Sequence, residues 1–233
     1  VTMTDANGCS ATTSTTLTVN PTPTVSITPV APICEYETAS LTANGVGSFE
    51  WSGTGLDAVT GSTVTASNLT AGVYDYTVTI TDANGCINTA VTTLTVNPTP
   101  IVSIEPVDAV CQGYDITLTA NGAGTFEWTG SGLNSTTGQT VTASTNALIP
   151  GTYTYTVTIT DTNGCINTAS IDVQVDDNPT VSIDPVAPVC EGTGFDLTAS
   201  NVAGATYEWT GNGLNSTTGQ TVSVENTLAA GTY

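Results

Sequence analysis

The stretch Gly72-Val73-Tyr74-Asp75-Tyr76-Thr77-Val78-Thr79-Ile80-Thr81-Asp82-Ala83-Asn84-Gly85-Cys86 decides the fold. Tyr74, Tyr76, Val78 and Ile80 alternate with Asp75, Thr77 and Thr79, the period-two pattern of a strand with one buried face. The run stops at Asp82-Ala83-Asn84-Gly85. Its Asn-Gly pair suits a tight hairpin in which both central residues take positive φ. Residues 86–96 read as the return strand. Working outward, residues 24–28 alternate and meet Pro29, and Ala39, Leu41 and Ala43 can share a strand face closed by Asn44-Gly45. Phe49 and Trp51 point one way and Glu50 the other, and Val64 lies in a further short strand. The apolar residues are largely Val, Ala, Ile and Leu among many Thr, and β-branched residues favour a pleated, half-buried surface. About seven short strands in fewer than about 80 residues read as an all-β sandwich.

The pattern recurs along the chain. Thr4-Asp5-Ala6-Asn7-Gly8-Cys9 returns at 81–86 and, with Thr162 replacing Ala, at 160–165. Cys34, Cys111 and Cys190 form a second series, and both series step by 77 and then 79 residues. Phe49-Glu50-Trp51, Phe126-Glu127-Trp128 and Tyr207-Glu208-Trp209 follow at nearly that spacing, as do Gly72-Val73-Tyr74, Gly151-Thr152-Tyr153 and Gly231-Thr232-Tyr233. Boundaries fall at Asn20-Pro21-Thr22-Pro23, Asn97-Pro98-Thr99-Pro100 and Asp177-Asn178-Pro179, where proline stiffens the connection. Residues 1–20 are then the last part of one repeat, 21–97 and 98–176 are whole repeats, and 177–233 are the first part of another. The two partial repeats together make roughly one unit, so the chain is expected to be a window on a longer protein.

Composition removes whole classes of function. Lys, Arg and His are absent, and 20 Asp and Glu give a formal charge of −20. No side chain can clamp a phosphate, act as an imidazole base or form a Schiff base. Nucleic acid is excluded as a partner, since its binding rests on Lys and Arg. An anionic membrane repels this surface, and no run of about 18 apolar residues exists to insert. With 39% hydrophobic and only 9% charged residues, the chain is not an acidic disordered tail. Glu50, Glu127 and Glu208 are the candidates for carboxylate catalysis. Each reads instead as an outward strand residue between two core aromatics, because a hydrolytic pair needs a second carboxylate nearby. No enzyme activity and no cofactor are expected. Calcium is the better-motivated ligand, being held by oxygens alone. Its candidate ligands are Asp176, Asp177 and Asp184 around the last linker, and the turns at Asp5, Asp82 and Asp161 are alternatives. Asp and Asn are also ordinary turn formers.

Several landmarks carry a family resemblance. Trp51 stands where the core Trp of an immunoglobulin-like third strand would, and Gly72-x-Tyr74 resembles the tyrosine corner entering the sixth strand. The antibody disulfide has no counterpart, because Tyr76 stands two residues after Tyr74. Over the whole chain, the succession Pro-x-Pro, Cys, Trp, Gly-x-Tyr, Asp-x-Asn-Gly-Cys resembles the tandem Ig-like and PKD-like repeats of giant surface adhesins. Those proteins occur in gliding and biofilm-forming Bacteroidota. The resemblance implies tandem Ig-like sandwiches of about 77–79 residues, secreted and displayed on the cell exterior as a filament or adhesin stalk. The cores are then expected to centre on Trp51, Trp128 and Trp209, packed with Tyr74 and Tyr153. The implied partners are neighbouring repeats and other copies in a fibre. On the alternative reading the repeats themselves bind surface glycans as a multivalent array.

Six cysteines at regular spacing, with no His and no Cys-x-x-Cys, point to disulfides in an oxidising compartment rather than to zinc. Two pairings are open. Within repeats, Cys34 would join Cys86 and Cys111 would join Cys165. Between repeats, Cys34 would join Cys165, while Cys9, Cys86, Cys111 and Cys190 would find partners outside the chain. In a sandwich, Cys34 lies toward one pole by roughly 20 Å and Cys86 toward the other by roughly 10 Å. A disulfide needs Cα atoms within about 7 Å, which favours the second pairing.

Overall fold

In the computed structural model, residues 1–226 and 229–231 are described, and every regular element among them is a strand. A short hairpin, β1 (Thr2–Thr4) and β2 (Ser10–Thr12), comes first. The first whole repeat supplies β3 (Val25–Ile27), β4 (Ile33–Cys34), β5 (Ala39–Gly45), β6 (Ser48–Ser52), β7 (Thr63–Ala66), β8 (Gly72–Thr81) and β9 (Ile87–Asn97). The second supplies β10 (Ser103–Ile104), β11 (Val110–Cys111), β12 (Asp115–Asn121), β13 (Thr125–Thr129), β14 (Thr140–Ser144), β15 (Gly151–Thr160) and β16 (Ile166–Asp176). β17 (Phe195–Thr198) and β18 (Thr221–Val224) follow.

The first whole repeat is an Ig-like sandwich of a β3-β5-β7 sheet and a β4-β9-β8-β6 sheet. β8 and β9 pair antiparallel from Gly72 opposite Val96 to Thr81 opposite Ile87. β4 joins β9 in parallel, with Ile33 beside Val96 and Cys34 beside Asn97. Leu41, Trp51, Tyr76, Val78 and Leu94 share one buried cluster. The indole Nε1 of Trp51 donates to the Gly61 carbonyl at 2.9 Å, so the large ring is buried without an orphaned donor. The second repeat has the same strand orders, β10-β12-β14 and β11-β16-β15-β13.

The chain packs as two units. One comprises Val1–Val107, Thr117–Ala143 and Thr154–Asp172 and holds the sandwich just described. The other comprises Asp108–Ile116, Ser144–Tyr153 and Val173–Tyr233. Within it, Val110 lies parallel beside Val175, and Ala199, Trp209 and Val222 form a smaller cluster. The hydroxyl of Thr145, fully buried there, donates to the Tyr114 carbonyl and accepts from the Gly113 N–H, each at 2.7 Å.

Tyr74 packs against the cluster that holds Trp51, and two features differ from the sequence pattern in detail. The fully buried tyrosines are Tyr76 and Tyr155, while Tyr74 and Tyr153 are half-buried at the rim. Alternation places all four on inward faces, but it does not say how far along the strand the core extends. The Tyr74 hydroxyl donates to the Thr70 carbonyl at 3.0 Å, and the Tyr153 hydroxyl to the Ile149 carbonyl at 2.8 Å. Both bonds run four residues upstream, as in a tyrosine corner. The third counterpart, Tyr233, lies outside the described residues. The hairpin turn also differs: Gly85 takes φ +81°, whereas Asn84 is not among the residues with positive φ. Asp82 Oδ1 accepts the N–H groups of Asn84 and Cys86, each at 2.8 Å, and closes a turn in which only the glycine is left-handed.

Candidate functional site

The chemistry of this chain concentrates where residues 21–97 pass into the following repeat. Cys34 ends β4, held at the β9 edge by parallel pairing. Cys165 follows the Asp161 turn between β15 and β16 and is fully buried. The two sulfurs are bonded, with Cα atoms 5.6 Å apart and a sequence separation of 131. The pairings within a repeat, Cys34 with Cys86 and Cys111 with Cys165, are therefore replaced: Cys86 and Cys111 carry free thiols. The cause is the pole-to-pole placement of strand-end and turn cysteines in each sandwich. Cys9, Cys111 and Cys190 are exposed and Cys86 is half-buried.

A carboxylate clamps the linker beside this bond. Glu35 Oε2 accepts both the N–H and the hydroxyl of Thr99 at 3.0 Å, and its Oε1 accepts the Ala71 N–H at 2.9 Å. The Glu35 N–H donates to the Asn97 carbonyl at 3.0 Å. From the other side, Asn167 Nδ2 donates to the Pro100 carbonyl at 2.9 Å. Asn97-Pro98-Thr99-Pro100 is thus held from both flanking repeats. The Thr99 N–H, then the Ala71 N–H and the Thr99 hydroxyl, hold Glu35 below the usual carboxylate range. At Asp161, desolvation pushes the pKa up, but N–H groups of Cys165, Asn163 and Gly164 together with the Asn163 side chain outweigh it and lower it. With no Lys or Arg to pair with, these carboxylates use main-chain N–H donors instead.

Glu35, Thr99 and Asn167 were not legible as site residues from the sequence. Glu35 has Gln112 as its counterpart in the second repeat and Glu191 in the last, whereas Asn167 repeats Asn88, whose Nδ2 donates to the Pro23 carbonyl at 2.9 Å. Gln112 works differently: its Nε2 donates to the Leu148 carbonyl at 2.6 Å and its carbonyl accepts Asn178 Nδ2 at 2.8 Å.

The other candidates remain separate. Asp176, Asp177 and Asp184 are exposed, and among the described residues no three His, Cys, Asp or Glu side chains converge as a metal site would require. Asp176 Oδ1 accepts Gln174 Nε2 at 3.2 Å. The turn aspartates Asp5, Asp82 and Asp161 each spend one oxygen on two main-chain N–H groups. Glu50, Glu127 and Glu208 are exposed, each bridged to a threonine, Thr60, Thr137 or Thr218. Two exposed aromatics were not anticipated: Tyr36 and Tyr114 are each 67% exposed. Tyr36 holds φ +64°, where the counterparts Gly113 and Gly192 hold +96° and +76°.

No family model and no curated protein matches this chain. Among solved structures, it is similar to the fibronectin(III)-like modules of Clostridium thermocellum CbhA, with 15% identity and TM-score 0.32, over 66% of this chain and 95% of that one. It is also similar to the insect immune protein hemolin, with 16% identity and TM-score 0.36, over 67% and 47%. A third is Bacteroides ovatus SGBP-B in complex with a mixed-linkage heptasaccharide, with 12% identity and TM-score 0.28, over 91% and 62%. The sandwich architecture rests on the strand order of the chain itself.

Proposed function

We propose that this chain is a structural segment of an extracellular, disulfide-stapled filament or adhesin stalk at a bacterial cell surface of the Bacteroidota type. One observation carries the reading: the Cys34–Cys165 bond spans the Pro-Thr-Pro linker and joins strand end to turn in successive repeats. A covalent bypass, beside a linker clamped by Glu35, converts a hinge into a stiff joint. Disulfides persist in oxidising, extracellular compartments. The absence of Lys and Arg leaves trypsin-like proteases no cleavage site, which suits an exposed fibre. Small-angle scattering tests the stiffness. The oxidised chain is expected to show a narrower distribution of dimensions than a Cys34→Ser/Cys165→Ser chain, and identical distributions would remove the stalk reading.

The exposed Tyr36 and Tyr114 favour a second reading, in which the repeats present aromatic contacts to glycans at an acidic surface. Glycan-array binding that falls at least about tenfold in Tyr36→Ala supports it. An array with no binding leaves the stalk alone.

A further inference from the structure

The two halves of the Cys34–Cys165 bond are unequally accessible. Cys165 is fully buried, whereas Cys34 is half-buried at the end of β4. Thiol–disulfide exchange begins when a thiolate attacks one sulfur and expels the other, so access selects which sulfur is attacked. An incoming thiolate reaches Sγ of Cys34.

A carboxylate is tied to the main chain of each half. Glu37 Oε2 accepts the Cys34 N–H at 2.9 Å, and Asp161 Oδ1 accepts the Cys165 N–H at 2.8 Å. Glu35, the residue after Cys34, is held at the same joint by Thr99 and Ala71. No cation offsets these three anions, because the chain has no Lys, Arg or His and carries −20 overall. Charge then acts twice on the exchange. The approaching thiolate is repelled. The departing Cys165 thiolate emerges buried beside Asp161, and burial without a positive neighbour makes a thiol a poorer leaving group.

We propose that the Cys34–Cys165 bond is a charge-selective exchange site, opened by attack at Cys34 and preferring thiols that carry an ammonium group to thiols that carry carboxylates. In the first step the thiolate sulfur bonds to Cys34 Sγ. The bond to Cys165 breaks, and its electron pair leaves on Cys165 Sγ, which takes a proton from water. A second molecule of the same thiol attacks the mixed disulfide and departs as the small disulfide, leaving Cys34 as a thiol. Two small thiols are oxidised and the protein bond is reduced. An amino-thiol sets its ammonium against Glu37, whereas a carboxylated thiol of the glutathione type adds negative charge to a site that is already negative. The joint between repeats is thus kept closed against one class of reductant and left open to another. This goes beyond the stalk reading, which needs only that the bond exists.

A full chain with Cys9, Cys86, Cys111 and Cys190 changed to Ser isolates the bond for the test. It is reduced with cysteamine, mercaptoethanol and mercaptopropionate, whose thiolate forms are zwitterionic, singly negative and doubly negative. Each rate is taken per thiolate and divided by the rate with hydroxyethyl disulfide, which removes differences in nucleophilicity. Cysteamine is expected to exceed mercaptopropionate at least about tenfold at low salt, with mercaptoethanol between them. At about 1 M salt, where screening acts within about 3 Å, the ratio should fall below about threefold. Glu37→Gln keeps an acceptor for the Cys34 N–H and is expected to narrow the low-salt ratio at least about twofold, with the melting temperature unchanged. A brief exposure to cysteamine, quenched with iodoacetamide and mapped after Glu-C digestion, should place the mixed disulfide on Cys34 and the alkyl group on Cys165. Equal rates, a ratio indifferent to salt, or a mixed disulfide on Cys165 overturns the proposal. Each of those outcomes leaves the bond, and with it the stalk reading, in place.

Discussion

At the scale of single residues, depth in the core separates groups that share a face. Tyr76 is fully buried and its hydroxyl donates to the Thr54 carbonyl at 2.7 Å. Burial, with the neighbouring Tyr74 charge adding, pushes its phenol up in pKa. Tyr76→Phe removes the donor and is expected to lower stability by about 1–2 kcal/mol in urea melts. Tyr74→Phe, at the rim, should fall near or below about 0.5 kcal/mol. Equal effects would mean that burial does not distinguish them. The sequence could not, because alternation encodes face and not depth. A structural cue was present in Gly53: a Cβ there would sit 2.6 Å from Tyr76 Cε1, so this glycine makes room for the ring. Glu35 allows a second test at this scale. Its folded pKa lies below the ordinary 4.5, so its clamp contributes in full above that value and is lost as pH falls through the depressed value. Hydrogen exchange at the Thr99 amide should accelerate over that acid window beyond the intrinsic rate. In Glu35→Gln the extra acid response should vanish, since no carboxylate remains to titrate.

At the scale of elements, the hairpin between β8 and β9 shows what a short motif can and cannot specify. Asn84-Gly85 marks the turn at the right place, and the strands on either side fall where alternation puts them. Its conformation is set by a residue outside the pair. By accepting two N–H groups, Asp82 keeps Asn84 out of the left-handed region and leaves the positive φ to Gly85 alone. Gly85→Ala isolates that demand, because a Cβ at Gly85 meets nothing within 4 Å. The expected loss is about 1 kcal/mol, all of it backbone conformation. A neutral result in thermal melts would mean that the turn relaxes to another type. The same turn recurs at Asp161, where Gly164 has φ +85°, and there it carries Cys165. The turn therefore positions the disulfide as well as closing the hairpin. Repeat spacing alone revealed the cysteine series, whereas the clamp from Glu35 to Thr99 joins residues 64 positions apart and has no local signature.

At the scale of the whole molecule, the Cys34–Cys165 bond decides which parts of the chain can feel tension. Force entering before Cys34 and leaving after Cys165 passes through the disulfide, so the span between the cysteines, a sequence separation of 131, is shielded. That span holds β5 through β15, most of both whole sandwiches. In the oxidised chain, these strands cannot be drawn out however strongly the ends are pulled. Once the bond is reduced, the shielded residues can extend at about 3.4 Å each, which adds roughly 450 Å of contour length. Single-molecule force spectroscopy before and after a reductant reads that increment directly. An oxidised chain that already releases the full length would place the load path elsewhere and remove the mechanical role of the bond. The shielding also separates two kinds of strength. The sandwich cores resist heat and denaturant through burial, while the covalent bypass limits extension whether or not those cores survive. A chain built this way keeps its length between the two cysteines under transient pulling even where a repeat loosens, which a string of unlinked sandwiches of the same stability could not do.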